Sequence, residues 1–193
     1  YTKELLEELH ICVEMVSSLG DTQIMSMSDD EKLNFQLELL KIAKSCDAAR
    51  PLSIVRIKNL LSALKRIQNS KTNRSSTTDL EMVLMNSLKK AHGIRLPVRT
   101  LISIIQSLTQ LRVFSNTNLT NLLMRHVEAN TRPAAASGHH DDNEKAQSMK
   151  VKLVNLCTRF TAECKTVNRA STADTDIEIM AKEILQTTME LFL

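Results

Sequence analysis

Two apolar patterns set 44 residues apart constrain this 193-residue chain more than any other feature. One is Pro51-Leu-Ser-Ile-Val-Arg-Ile-Lys-Asn-Leu-Leu-Ser-Ala-Leu-Lys-Arg-Ile67, and the other is Pro97-Val-Arg-Thr-Leu-Ile-Ser-Ile-Ile-Gln-Ser-Leu-Thr-Gln-Leu111. Superposed, they match as Leu60/Ile104, Leu61/Ile105, Leu64/Leu108 and Ile67/Leu111. The apolar positions recur at the spacing of one helix face. Each pattern is followed by a second such segment, Leu80 to Ala91 and Leu119 to Asn130. Paired helices at a recurring period encode stacked hairpins, because a single hairpin cannot bury its apolar face alone.

The whole chain reads as helical. Its 3 Gly and 3 Pro fall at breaks and starts, so no apolar period is interrupted. The first helix is expected over Thr2 to Ser18, with Leu5, Leu6, Leu9, Cys12, Val13 and Val16 on one face. Ser28 with Glu31 three residues later is a capping box, where the serine oxygen takes a helix-start N–H and the glutamate returns to the serine N–H. It opens a second helix that turns Leu33, Leu37, Leu40 and Ile42 inward. A third runs from Pro51 to Asn69. A fourth is capped by Thr78 or Asp79 and stops at Gly93, a fifth starts at Pro97, and a sixth covers Asn118 to Asn130. Residues Thr131 to Ser148 (TRPAAASGHHDDNEKAQS) read as a flexible insertion. Two more helices are expected at Gln147 to Asn168 and Asp174 to Phe192. The fold class is therefore all-α, a right-handed α-solenoid of about eight helices: a helical-repeat region over 1–130, a loop over 131–148 and a C-terminal helix pair over 149–193.

Charge is distributed unevenly along the chain. Residues 51 to 132 hold 13 Lys and Arg against 3 Asp and Glu, a net +10, whereas the whole chain is only +3. Residues 1 to 50 carry 5 basic and 10 acidic side chains, and residues 133 to 193 carry 7 and 9. A block of that density repels itself unless an anion neutralises it, which points to a polyanion, RNA foremost. Phe114 is the sole aromatic in the block, so recognition would rest on backbone contacts and polar side chains rather than base stacking on a sheet. On the face opposite the apolar arc, Arg99, Ser103, Gln106 and Gln110 form a ladder. At the 44-residue offset Asn59, Ser62 and Arg66 take the places of Ser103, Gln106 and Gln110. The cations expected to contact RNA are Lys58, Lys65, Arg66, Lys89, Lys90, Arg99, Arg112 and Arg125.

Catalytic signatures are missing: the chain has no Gly-rich phosphate loop, nucleophile elbow or HExxH. His139-His140-Asp141-Asp142 is read as solvated loop rather than a metal site, since adjacent ligands on a mobile segment lack fixed geometry. Cys12, Cys46, Cys157 and Cys164 lie inside apolar patterns without zinc spacing, which favours core packing in a reducing compartment. No cofactor and no small-molecule substrate are expected. No apolar run approaches the ~20 residues of a membrane span. The first residue is Tyr1 rather than Met, which leaves a processed form or a fragment open.

Leu60-Leu61-Ser-Ala-Leu-Lys-Arg-Ile67 and Ile104-Ile105-Gln-Ser-Leu-Thr-Gln-Leu111 resemble the octatricopeptide and FAST-kinase-like helical repeats, over about residues 30 to 130. The resemblance implies an α-solenoid in mitochondrial or plastid RNA processing, editing, stability or translation, working inside a multi-subunit ribonucleoprotein. It carries over to the polar edge of the first helix in each pair: Asn59, Ser62 and Arg66, then Ser103, Gln106 and Gln110. The competing expectation is a HEAT/armadillo-like protein scaffold whose basic face meets an acidic subunit.

Overall fold

The computed structural model describes residues 2–68, 74–114, 116–131 and 140–168. Among them the regular structure is entirely α-helical: α1 (Thr2–Ser18), α2 (Asp21–Ser26), α3 (Asp29–Ala49), α4 (Ile54–Arg66), α5 (Arg74–Lys90), α6 (Val98–Gln110), α7 (Thr117–Thr131) and α8 (His140–Asn168). No described helix is long and apolar enough to cross a membrane. The helix expected over Asp174 to Phe192 lies outside the described residues. The chain divides into two compact units, Tyr1–Ala91 and His92–Leu193.

In unit 1, α3 is the element the others pack on: it meets α1, α4 and α5, while α1 and α5 also meet α4. Serving three neighbours demands a broad buried face. Gln36, Leu39, Leu40, Ile42, Ala43, Cys46 and Asp47 of α3 are all buried. This corrects the expected inward row, because Leu37 is 45% exposed whereas Gln36 beside it is 3% exposed. Gln36 is tolerated there because its Nε2 donates to the Ile67 carbonyl at 2.9 Å, satisfying the end of α4. Against this face lie Leu9, Val13 and Val16 of α1 and Ile57, Leu60, Leu61 and Leu64 of α4, with Val83, Leu84 and Leu88 of α5 completing the core. Burying each such side chain contributes about 1.5–3 kcal/mol before entropy is counted.

Helix starts follow cap chemistry. Ser28 and Glu31 form the expected capping box: the Ser28 N–H donates to Glu31 Oε2 at 2.7 Å, and the Glu31 N–H donates to Ser28 Oγ at 3.2 Å. The Ser28 backbone N–H, and after it the Ser28 hydroxyl that donates to Glu31 Oε2 at 3.0 Å, hold the Glu31 carboxyl below the usual carboxylate range. Helix α4 begins at the Ser53 cap rather than at Pro51, because the serine oxygen accepts the Arg56 N–H. Helix α5 starts at Arg74, so Thr78 and Asp79 lie inside it and do not cap it. Asp79 instead takes Lys44 Nζ of α3 at 2.8 Å. The short α2 has no apolar period and was not expected.

In unit 2, α6, α7 and α8 pack against one another. Their shared core holds Leu101, Ile104, Ile105 and Leu108 of α6, Leu119, Leu123, Met124 and Val127 of α7, and Leu153, Cys157, Phe160 and Cys164 of α8. Phe114 joins them, its ring 5.6 Å from that of Phe160, and so it is a core residue and not a base-stacking surface. Helix α8 begins at His140, so the later part of the expected insertion is helical, while residues 132–139 lie outside the described residues. Glu144, Lys145, Ala146 and Gln147 are good helix formers, which carries the helix back past the apolar pattern that reveals it.

Both helix ends flanking α6 are specialised. On its N-terminal side Gly93 adopts φ +82, a left-handed conformation that favours glycine. Arg95 Nη2 then donates to the Asn130 carbonyl at 3.2 Å, and Asn130 Nδ2 donates to the carbonyls of Leu96 and His126. On its C-terminal side the Arg112 N–H bonds Thr109 and the Val113 N–H bonds Leu108 at 2.9 Å. This is a Schellman turn, in which the residue after the cap is left-handed and is normally glycine. Here that residue is Arg112, with φ 56.

Candidate nucleic-acid interface

The basic block splits at the unit boundary, and its two parts sit in different electrostatic settings. Residues 51 to 91 carry 8 Lys and Arg against 2 Asp and Glu, but they fold into one unit with residues 1 to 50, which carry 5 against 10. Several unit 1 cations have protein partners. Arg66 Nη2 donates to the Leu19 carbonyl and lies 3.4 Å from Asp21 Oδ1, so it ties α4 to the link between α1 and α2. Lys44 pairs with Asp79, Lys41 with Glu38 at 3.8 Å, and Lys90 Nζ donates to the Pro51 carbonyl at 3.3 Å. Lys58 and Lys65 are half-buried on α4, and Lys89 and Lys90 are exposed at the end of α5.

Unit 2 differs. Arg99, Arg112, Arg125, Lys152 and Arg159 are exposed, and among the described residues none has a carboxylate within ion-pair distance. The acidic residues of this unit concentrate in the sequence at 141–144 and 174–190.

The expected polar ladder also divides. Ser103 is half-buried, and Gln106 and Gln110 are exposed along α6. Gln106 lines a cleft of about 430 Å³ whose other wall is α8, formed by Ser148, Val151, Lys152, Asn155, Leu156 and Arg159. On α4, Ser62 is exposed, while Asn59 lines a separate groove of about 430 Å³ with Leu6, Leu9, His10 and Val13 of α1 and Ser53, Val55 and Arg56. The structure therefore does not give the two ladders equivalent surroundings. Arg66, the counterpart of Gln110, is a tie within unit 1, and Gln106 shares its cleft with Lys152 and Arg159 of α8.

Sequence reasoning missed Lys152, Asn155 and Arg159, which share one side of α8. Their i, i+3, i+7 spacing is readable, but which helix that side lies beside is not.

The thiols belong to the core. Cys46, Cys157 and Cys164 are buried, Cys12 is half-buried, and all four are free. Burial pushes Cys157 up to about 12. It also raises Cys164 to about 11, against the downward pull of the Thr120 hydroxyl 3.6 Å away. Neither is a thiolate at neutral pH, so neither is a ready nucleophile or soft metal ligand. Among the described residues no group of three metal-ligating side chains comes together. No family model matches the chain, and no curated protein or solved structure is significantly similar to it.

Proposed function

We propose that the chain is a non-enzymatic helical subunit that binds RNA through the exposed cations of unit 2, within a ribonucleoprotein assembly that processes, edits or translates RNA. The supporting observation is the set Arg99, Arg112, Arg125, Lys152 and Arg159, all exposed and without carboxylate partners among the described residues. Five such cations can replace counterions along a phosphate backbone, which is the main source of RNA affinity. The 44-residue repeat supports a helical-repeat scaffold as the frame for this surface, and the family resemblance supports an organellar setting.

A second reading, a protein-binding HEAT/armadillo-like scaffold, draws on a different observation. Ile11 is 60% and Met15 45% exposed, one turn apart on the outer side of α1, and exposed apolar neighbours mark protein contacts.

Filter binding of the full chain to single-stranded RNA across about 50 to 200 mM salt tests the choice. RNA binding whose log Kd changes linearly with log salt, by about 0.7 per phosphate contact, is the expected result. Polyglutamate competing as well as RNA would favour the scaffold, and absence of RNA binding at low salt would overturn the proposal.

A further inference from the structure

Charge alone does not account for the cleft between α6 and α8. A groove that only tracks phosphates needs cations, yet this one is also lined by two carboxamides, Gln106 from α6 and Asn155 from α8, and by the apolar Val151 and Leu156. Its volume of about 430 Å³ falls within the range that encloses small ligands, roughly 300–1,000 Å³.

We infer that this cleft takes the base of an unpaired nucleotide in bound RNA, adenine best, an inference that rests on the RNA-binding reading above. A carboxamide carries an acceptor beside a two-proton donor. That pair matches the N6–H donor and N7 acceptor of adenine and bonds both at once, whereas the equivalent edge of uracil sets a C–H beside its O4. Two carboxamides on facing helices can address the base from both sides of the cleft. Val151, 39% exposed, and the half-buried Leu156 supply a wall that the base face covers in place of water. Among the described residues of the unit no aromatic is exposed, since Phe114 and Phe160 are in the core, and the planar guanidinium of Arg159 takes the stacking role. Lys152 lies three residues before Asn155 and Arg159 four residues after it, so a cation flanks the base on each side along α8. With Arg159 stacked on the base, Lys152 is left to meet an adjoining phosphate. A base in a duplex cannot enter, because its partner and its stacked neighbours hold it inside the helix, so the site selects single strands.

The test is fluorescence anisotropy of the full chain with labelled oligo(A), oligo(U) and duplex RNA at one salt concentration. Oligo(A) should bind about tenfold more tightly than oligo(U), within what one bidentate contact discriminates, and duplex should bind no better than oligo(U). Gln106→Ala and Asn155→Ala should each move the A-to-U ratio toward one without changing oligo(U) affinity or its salt slope. Circular dichroism establishes that the variants fold, and Gln106→Met with Asn155→Leu repeats the test at nearly constant side-chain volume. Equal binding of A and U by the unaltered chain, or a preference that survives both substitutions, overturns the base site and leaves the RNA reading standing. Loss of all RNA binding in the unaltered chain at low salt overturns both.

Discussion

Unit 1 carries 13 Lys and Arg with 12 Asp and Glu spread along it, whereas unit 2 carries 12 and 10 but segregates them, so that positions 92–130 and 147–168 hold 8 basic residues against 2 acidic ones. Along the sequence, the richest positive block spans both units and reads as one feature. In space its first half shares a unit with the acidic N-terminal helices, where Arg66 finds Asp21, and the block's own Asp79 is taken by Lys44 of α3. Its second half meets α8, whose Lys152 and Arg159 add to the charge instead of cancelling it. Linear charge density therefore predicts surface potential only after it is known what folds against it. A run of cations next to its own counter-ions is a structural device, and a smaller run without them is the stronger candidate for a ligand surface.

The comparison breaks most visibly in binding. Replacing Arg125, Lys152 and Arg159 together by Ala should weaken RNA binding on the order of 100-fold at low salt and lower the salt slope by about three units. The matching triple in unit 1, Lys58, Lys89 and Lys90 to Ala, should change affinity by no more than about threefold. Equal losses from the two triples would show that the block acts as one surface and would end the distinction.

Arg66 sharpens the contrast from the other side. Arg66→Met removes the charged hydrogen bond to the Leu19 carbonyl and should cost about 1–3 kcal/mol in denaturant unfolding. RNA affinity should be unchanged. A stable variant with weakened RNA binding would return Arg66 to the ligand surface that its place in the ladder suggested.

Arg112 should behave in the opposite sense. Its left-handed φ of 56 is strained for a residue with a side chain, so Arg112→Gly should gain about 0.5–1 kcal/mol of stability and lose RNA affinity. A variant that is both less stable and unaltered in binding would refute a ligand role for this side chain.

The smallest effect belongs to unit 1 and to pH. The capping box lowers the Glu31 pKa in the fold, so its contribution is present above the unfolded carboxylate value and is lost as pH falls through the lowered folded value. Acid titration of Glu31→Gln should lack that step, while Arg112→Gly keeps it. Melting temperature followed from neutral pH into the acid range checks both.

What the sequence revealed and what it concealed follow from the range of the interactions involved. The limits of α1, the Ser28 cap and the inward positions Leu60, Leu61, Leu64, Ile104, Ile105 and Leu108 depend on neighbours within one or two turns, and all are legible. Thr78 and Asp79 misled because they have the right chemistry for a cap. Asp79 is claimed instead by Lys44, 35 residues earlier. Gln36 displaced Leu37 from the core because Ile67, 31 residues away, offers a carbonyl that only a buried donor can satisfy. The α8 wall of the cleft was hidden for the same reason, since periodicity identifies a face without naming its neighbour. Arg112 was read as a cation and not as a turn, because a Schellman position without glycine leaves no local signal.

The clamp of Arg95 on Asn130 also says where the chain can change in length. Between the end of α5 and the start of α6, the side chains and backbone from Arg95 to Leu96 are fastened to α7. His92, Gly93 and Ile94 are exposed. Residues inserted after Gly93 would disturb none of those bonds, whereas one inserted between Arg95 and Pro97 would break the clamp and misplace the first turn of α6. Lineages of this fold could therefore lengthen or shorten the join between the units at one narrow point, and the cleft-bearing unit would be inherited intact.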